Sequence, residues 1–367
     1  MKLEALLLSV LLMPVKQSCN NIASTGESSS NSTITATSDT TNQHVKFGVM
    51  VAKTEGQMVG PEKQIRVAKA LGVNYIRAKI DMQGWDGTSE AYEAAKAADL
   101  KVLLNINYGV PRTAAGEHDP VPFPTDMNAY TKSLNSILDK YKPELVVIEN
   151  EEDNPNYHEG TADDYINELK TGIQVAHSHG LKVTNGGITV REICLIIFDD
   201  YMQRGEKEKA MNFAQKAFPQ NFVTRLGSGN MMKNPQIARQ VEFGRKLMDA
   251  YKNLDLDYVN FHWYEPVQAR GKGQDASSIS FDPETFAFVV NYLKEKTGKP
   301  VMSNEFGVLE TSPELVKGLL KAVKENGLSY AIFYSADGGP GKAIALQNAS
   351  GDLRDNGKAF RDFVKEH

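Results

Sequence analysis

The sequence predicts an α/β fold, a (βα)₈ TIM barrel with a helical insertion between strands five and six. Short apolar segments alternate eight times with amphipathic segments after residue 44, which is the element order of a parallel barrel. Polar and acidic residues follow several of the apolar segments, where a barrel places its active site. A doubly wound open sheet is the alternative, and it is disfavoured because no glycine-rich phosphate loop follows the first strand.

The eight predicted strands are short, mostly apolar runs. They cover residues 45–51, 73–80, 101–107, 145–148, 181–185, 258–262, 301–303 and 330–334. Apolar residues at helical spacing predict the helices between them, and Thr161 is a capping residue before one of these helices. The helices cover residues 62–71, 89–98, 126–140, 161–179, 236–251, 283–296, 313–326 and 356–364.

Two connections are longer than the others. Residues 190–234, between strands five and six, have the periodicity of one or two extra helices on the barrel. A proline-rich loop covers residues 110–124, after the third strand. Both connections are expected to wall a cleft at the end of the barrel.

The first 43 residues differ in composition from the rest of the chain. An apolar run at residues 5–15 is too short to span a bilayer, and it predicts a signal peptide over residues 1–18. Lys16-Gln17-Ser18-Cys19 resembles a loose bacterial lipobox, so lipid anchoring at Cys19 and plain secretion both stay open. Residues 19–43 are rich in Ser, Thr and Asn and predict a flexible linker. Residues 44–367 then form a secreted or cell-envelope catalytic domain.

Composition excludes several classes of protein. The 367 residues carry a net charge of −5 without a strongly basic stretch, which argues against a nucleic-acid partner. The only predicted membrane contact is the possible lipid anchor at Cys19. The two cysteines, Cys19 and Cys194, exclude a disulfide framework and lack the spacing of metal ligands.

Candidate catalytic groups stand where barrel strands end. Glu151 follows the fourth strand and Glu305 follows the seventh. Arg77 is on the second strand, and His262 and Tyr264 are on the sixth. Each residue alone has an ordinary structural explanation, such as a helix cap or an ion pair for Arg77. The combination is more informative because groups from four strands meet at one rim.

The register of the acidic run after strand four leaves a second possibility. Glu149 precedes Glu151 by two residues, and strand alternation would place both carboxylates on the same face. The choice between them therefore depends on where the strand ends.

These motifs resemble clan A of the retaining glycoside hydrolases, the barrel enzymes that include cellulases, xylanases and xylosidases. The resemblance covers residue 45 to the C-terminus, and no individual family is evident. In that clan an Asn-Glu pair ends strand four and a glutamate ends strand seven, matched here by Asn150, Glu151 and Glu305. The strand-two arginine and the strand-six His-x-Tyr of the clan are matched by Arg77, His262 and Tyr264.

The resemblance implies hydrolysis of an oligosaccharide or polysaccharide with retention, without a metal or other cofactor. Glu305 would be the nucleophile and Glu151 the general acid/base. Arg77 and Tyr264 would stabilise the ionised Glu305, and Asn150 would bind a sugar hydroxyl near the reacting carbon.

Three aromatic residues complete the predicted substrate contacts. Many clan members carry a tryptophan at the end of strand eight, and this chain has Tyr334 there instead. Trp85 and Tyr108 lie in loops after strands two and three, where exposed rings stack on sugars. A plain hydrophobic anchor is the alternative for these two.

Two other functions stay open. A metal-dependent sugar isomerase or epimerase would use Glu151, His262, Glu305 and Asp337 as ligands, although Arg77 at the same rim would repel a cation. A carbohydrate-binding barrel without turnover would keep the acidic pair and lack hydrolysis.

Overall fold

The computed structural model describes residues 44–109, 120–229, 231–269, 281–338 and 342–367. The predicted signal peptide, the linker with Cys19, and residues 110–119 of the proline-rich loop lie outside these ranges. Within the described residues, no helix is both long and apolar enough to cross a membrane.

Eight parallel strands form the predicted barrel. They are β1 (Lys46–Val51), β2 (Tyr75–Asp81), β3 (Lys101–Asn107), β4 (Leu145–Ile148), β5 (Val183–Asn185), β6 (Val259–Glu265), β7 (Val301–Val308) and β8 (Tyr330–Ser335). The sheet order is β5-β4-β3-β2-β1-β8-β7-β6. A parallel bridge from Thr184 of β5 to Tyr258, just before β6, closes the ring. The barrel prediction is therefore confirmed.

The helices follow the strands as predicted, and most boundaries agree within two residues. They are α1 (Pro61–Leu71), α2 (Glu90–Ala97), α3 (Met127–Lys140), α4 (Ala162–Ser178), α5 (Val190–Gln203), α6 (Lys207–Ala217), α7 (Gln220–Gly227), α8 (Pro235–Asn253), α9 (Pro283–Thr297), α10 (Pro313–Glu325) and α11 (Asp355–Glu366). Thr161 caps α4 in a reciprocal capping box with Asp164, as its sequence position indicates.

The insertion between strands five and six is present, and it contains three helices rather than one or two. They are α5, α6 and α7. In α5 every residue from Ile193 to Phe198 is buried, so the middle of the helix is apolar all round. The sequence period alone could not separate three short helices from two longer ones.

Three short strands were not predicted. Val121–Pro122 pairs with His158–Glu159 in a separate parallel sheet beside the barrel. Ile188–Thr189 pairs with β6 at Phe261 and His262. Segments of two residues carry no periodicity that a sequence could show.

Apolar side chains fill the barrel interior at the amino-terminal ends of the strands. This part of the barrel holds an apolar cluster that includes Leu103, Leu145, Val147, Met302 and Ile332. Inward-facing polar residues, at two-residue spacing along the strands, lie above this cluster. The floor therefore closes the barrel and leaves a polar site at the carboxyl ends of the strands.

Candidate active site

The segment after β4 turns in a way that separates its two glutamates. The strand ends at Ile148, and Glu149 and Glu151 have backbone φ angles of +67° and +48°. This left-handed conformation costs an L-residue about 1–2 kcal/mol. Strand alternation does not apply beyond Ile148, so the expectation that Glu149 shares the face of Glu151 is wrong.

Glu149 points away from the barrel centre. Its carboxylate accepts a hydrogen bond of 2.6 Å from the Tyr108 backbone N–H and lies 3.8 Å from the His158 ring. Glu168 of α4 faces it, and burial together with the Glu149 charge raises the pKa of Glu168 well above its ordinary value. Burial also raises the pKa of Glu149. Glu149 and Glu168 therefore share a proton on the side of the loop that faces α4.

Glu151 and Glu305 meet at the barrel centre. Carboxylate oxygens of the two residues and a ring nitrogen of His262 all lie within 4.8 Å of one another. Glu305 lies in β7, where the pairing with β6 shifts register between Met302 and Glu305. This irregularity changes the alternation of β7, and the strand continues to Val308 rather than ending at residue 303 as predicted.

Both oxygens of Glu305 accept strong hydrogen bonds. The Arg77 guanidinium donates to Oε2 at 2.5 Å, and the Tyr264 hydroxyl donates to Oε1 at 2.6 Å. Burial and the Glu305 charge raise the pKa of Tyr264 well above its ordinary value, so its hydroxyl stays protonated. A positive charge and a phenolic hydroxyl donor therefore face the two carboxylate oxygens of Glu305.

Glu151 is held by different groups. The His262 Nδ1 atom lies 3.0 Å from its Oε1, and the Asn154 side-chain amide donates to Oε2 at 2.7 Å. Burial lowers the pKa of His262, but the nearby carboxylates of Glu305 and Glu151 outweigh it and raise that pKa. The Glu151 carboxyl and the His262 imidazole are therefore within hydrogen-bonding distance of each other.

Four buried asparagines from four strands form a layer beneath the site. They are Asn105, Asn185, Asn260 and Asn304. The Asn304 oxygen accepts from Asn260 at 2.7 Å and from the His262 Nε2 atom at 2.8 Å. Because an amide oxygen only accepts, the proton of neutral His262 is on Nε2. Its Nδ1 atom then faces Glu151, and one proton is shared between them.

Asn150 is also brought into the site. Its side-chain oxygen accepts a hydrogen bond from Arg77, which leaves the amide N–H₂ group as the donor. Arg77 in turn donates its Nε–H to Asn105 at 2.9 Å. Arg77 thus connects β2, β3, β7 and the loop after β4, and its ion pair is with the candidate nucleophile Glu305.

The three predicted aromatic contacts differ in placement. The Tyr334 ring lies 6.2 Å from the Tyr264 ring, edge to face, and so borders the site. The Trp85 ring packs against Tyr141 at 6.1 Å, and the Tyr108 ring against Tyr130 at 6.2 Å. Trp85 and Tyr108 are partly buried against the hydrophobic core. Their described contacts fit the hydrophobic-anchor alternative.

The metal alternative finds only part of its ligand set. Within the described residues, Glu151, His262 and Glu305 form the one cluster close enough for a shared ion. Asp337 does not join them, because Arg354 binds its carboxylate at 2.6 Å and the Glu55 N–H donates to it at 2.8 Å. A cation on Glu305 would also lie beside the positive charge of Arg77, whose guanidinium is 2.5 Å from the Glu305 carboxylate.

Several site residues escaped the sequence analysis. Asn154 and three asparagines of the layer, Asn105, Asn185 and Asn260, carry no local signal beyond residue type. Gly187 has a signal, because a Gly-Gly pair directly follows the fifth strand. Its φ is +110°, and a Cβ atom there would lie 2.2 Å from His262 Nε2. A glycine is therefore required against the imidazole.

Comparison with known proteins gives a likeness in fold only. No model of a protein family and no curated protein sequence matches the chain. Among solved structures, it is similar to the exo-β-1,4-mannosidase Op5Man5 from Opitutaceae bacterium strain TAV5, with a TM-score of 0.53 and 14% identity. The match covers 88% of this chain and 59% of the mannosidase, so this chain spans less than two thirds of that protein.

A second solved structure, XacCel5A, has a TM-score of 0.50 and 12% identity. That match covers 88% of this chain and 99% of the other. At these identities the likeness establishes that the chain shares the barrel fold of these proteins.

Proposed function

We propose that this protein is a glycoside hydrolase that cleaves O-glycosidic bonds with retention of configuration. The observation that carries the proposal is the position of Glu151 and Glu305, whose carboxylate oxygens come within 4.8 Å of each other. Retaining enzymes place the two carboxyl groups about 5–5.5 Å apart, and inverting enzymes about 6.5–9.5 Å. The activity of the mannosidase that shares the fold supports the same reaction class.

The surroundings of the two carboxylates assign their roles. Glu305 accepts from Arg77 and Tyr264, which stabilise a charged nucleophile that attacks the anomeric carbon. Glu151 lies against His262, from which it can regain a proton, and so acts as the acid that protonates the leaving oxygen. The same Glu151 then activates the water that releases the sugar. The Asn150 amide N–H₂ group binds a hydroxyl of the reacting sugar.

A substrate screen tests this function. The chain is assayed on aryl glycosides and polysaccharides, with β-mannosides first because of the activity of Op5Man5. Glu305→Gln is the inactive control, and the anomer released first is read by NMR. Hydrolysis that the control lacks, with the substrate's configuration in the first product, supports the proposal. An inverted first product would contradict retention.

The same screen separates the two alternatives. A metal-dependent isomerase would lose turnover with a chelator and regain it with a divalent ion, whereas hydrolysis by two glutamates is expected to be unaffected. A binding barrel would retain glycan affinity in Glu305→Gln and show no turnover in the native protein.

We also propose that the protein acts outside the cytoplasm, at the cell envelope or beyond. The apolar run at residues 5–15 and Ser18-Cys19 support this location. If Cys19 is lipidated, Cys19→Ser moves the protein from the membrane fraction to the soluble fraction. Equal distribution of both forms would support plain secretion instead.

A further inference from the structure

His158 contacts the loop that carries the proposed acid/base from outside the barrel. Its Nε2 atom lies 2.9 Å from the backbone carbonyl oxygen of Asn150. A carbonyl oxygen only accepts, so the His158 Nε2 atom must carry the proton. The 3.8 Å separation from Glu149 is too long for a second hydrogen bond and adds only electrostatic attraction.

The position of this hydrogen bond in the chain is informative. The Asn150 carbonyl belongs to the peptide plane that precedes Glu151, and the orientation of that plane sets the φ angle of Glu151. That angle is +48°, in the left-handed region. Turning the peptide plane over would relax Glu151 toward ordinary φ values and would also break the bond from His158. The imidazole therefore holds Glu151 in its unusual conformation.

Each carbonyl of the loop has its own donor. The Glu149 carbonyl accepts from the Asn105 side chain at 3.0 Å, and the Glu151 carbonyl accepts from the Asn154 N–H at 2.8 Å. Among the described residues, His158 supplies the donor for the carbonyl between them. Loss of the His158 donor would leave the Asn150–Glu151 peptide plane free to turn, between two peptides that keep their donors.

His158 is itself well fixed. Its ring stacks on Phe123 with centroids 4.8 Å apart and planes 13° apart. Its backbone belongs to the two-residue strand that pairs with Val121, and its N–H donates to the Asn154 carbonyl at 3.1 Å. Gly160 has no side chain, and a Cβ atom there would lie 2.9 Å from the Phe123 ring. The imidazole therefore has little freedom to leave the carbonyl.

We propose that His158 is a positioning residue for general acid/base catalysis, acting through the Asn150 carbonyl on the orientation of Glu151. The inference rests on the proposed function, since it assumes that Glu151 transfers the proton. It assigns to His158 no contact with substrate. It predicts that loss of the His158 N–H affects steps that need a proton from Glu151 and spares steps that do not.

Aryl glycosides with different leaving groups provide the test. A dinitrophenolate leaves without protonation, whereas an unactivated phenol needs the acid. In His158→Phe, which keeps the stack on Phe123, kcat/KM for the phenyl glycoside is expected to fall about 10- to 100-fold, the cost of about 1 Å of misplacement. The dinitrophenyl glycoside is expected to change less than about 3-fold, a change too small for loss of general acid catalysis.

Two variants and one control sharpen the result. His158→Gln carries an amide N–H₂ group near the Nε2 position and is expected to restore most of the phenyl glycoside activity. His179→Phe removes an imidazole of similar burial that binds Asn135 at 2.9 Å on the outer layer, and it is expected to leave the ratio of the two rates unchanged. Should His158→Phe not fold, His158→Asn, whose amide is too short to reach the carbonyl, replaces it.

The outcomes are distinct. A selective loss on the phenyl glycoside, reversed by glutamine, supports the positioning role. An equal loss on both glycosides, or none, would overturn it and leave the hydrolase function intact. Absence of turnover by the native protein on every glycoside would instead count against the proposed function, because the ratio is defined only for an active native enzyme.

Discussion

Arg77 and Glu305 form a partly buried ion pair between strands β2 and β7, with the guanidinium Nη1 atom 2.5 Å from the carboxylate Oε2 atom. The residues are 228 positions apart in sequence. Arg77 also donates to Asn105 and Asn150. One planar group therefore orients both the proposed nucleophile, Glu305, and Asn150, which is predicted to bind a sugar hydroxyl. A planar fork of donors suits this task better than a point charge does.

Arg77→Lys is therefore expected to reduce activity strongly although it conserves the charge. An ammonium cannot reach Glu305, Asn105 and Asn150 in fixed directions, so the nucleophile loses its orientation. We expect kcat/KM to fall by about 100-fold, measured on the best substrate of the screen.

A matched control separates this effect from a general loss of arginine. Arg245 binds the carboxylates of Asp199 and Asp200 at 2.7 and 2.6 Å on the outer helices. Arg245→Lys is expected to leave kcat/KM unchanged. Equal activity of Arg77→Lys and the native protein would show that Arg77 only supports the barrel.

Azide rescue distinguishes the roles of the two glutamates. In Glu305→Ala, azide replaces the nucleophile and is expected to give a glycosyl azide of inverted configuration. In Glu151→Ala, azide attacks the glycosyl-enzyme and is expected to give the retained configuration. Without azide, each variant is expected to lose about 10³-fold or more in kcat on an unactivated substrate. NMR of the glycosyl azide products measures their configuration. A retained product from Glu305→Ala and an inverted product from Glu151→Ala would reverse the assignment of the two roles.

The sequence predicts the barrel well because its signals are periodic and local. Apolar runs and helical spacing identify β1 to β8 and the helices between them, and capping residues such as Thr161 mark helix ends. The insertion is harder to predict, since residues 193–198 in the middle of α5 are all buried and show no amphipathic period. Three helices there rather than one or two follow from packing that only the folded chain shows.

The site is predicted in part for a similar reason. Glu151 follows β4, and Arg77 and Glu305 lie within β2 and β7, so barrel topology brings them together. The separation of Glu149 from Glu151 depends on two positive φ angles, which non-glycine residues rarely adopt and which no local motif indicates. The roles of Asn154 and His158 depend on contacts across loops and have no periodic signal.

Glu152 gives a prediction on stability and pH. It is buried, and its Oε1 atom accepts from Tyr251 and, at 2.7 Å, from Asn185. Its Oε2 atom has no described hydrogen-bond partner. Burial, followed by the Asp153 charge, raises the pKa of Glu152 from 4.5 to about 7. The folded protein thus keeps a proton on Glu152 that the unfolded chain releases near pH 4.5.

The sign follows from proton linkage. Between pH 4.5 and about 7 the folded state binds more protons at Glu152, so the free energy of unfolding falls as pH rises. The change approaches about 3 kcal/mol above pH 7, at about 1.4 kcal/mol per pKa unit. Glu152→Gln mimics the protonated carboxyl, since its oxygen can accept from Tyr251 and Asn185 while its amide replaces Oε2.

Urea unfolding at pH 4.5 and pH 8 measures this effect. The two proteins are expected to be about equally stable at pH 4.5, and the variant more stable at pH 8. Glu366→Gln, exposed at the end of α11, is the control and is expected to change neither value. If Glu152→Gln were less stable than the native protein at pH 8, the folded state would prefer the ionised carboxylate.

Gly187 provides a prediction that separates backbone strain from a steric clash. Gly187→Ala places a methyl group 2.2 Å from the His262 Nε2 atom, at a φ of +110°. His262 must then move, which breaks its contact with Asn304 or with Glu151. Gly180→Ala has the same kind of positive φ, +68°, with nothing within 4 Å of the new methyl group. We expect both variants to lose about 1 kcal/mol of stability or more from the positive φ.

Only Gly187→Ala is expected to lose activity, by about 100-fold, because a displaced imidazole leaves the proposed acid misplaced. Melting temperature and kcat/KM measured on both variants make the comparison. Full activity in Gly187→Ala would mean that the site tolerates movement of His262, and the imidazole would then not be required to hold Glu151.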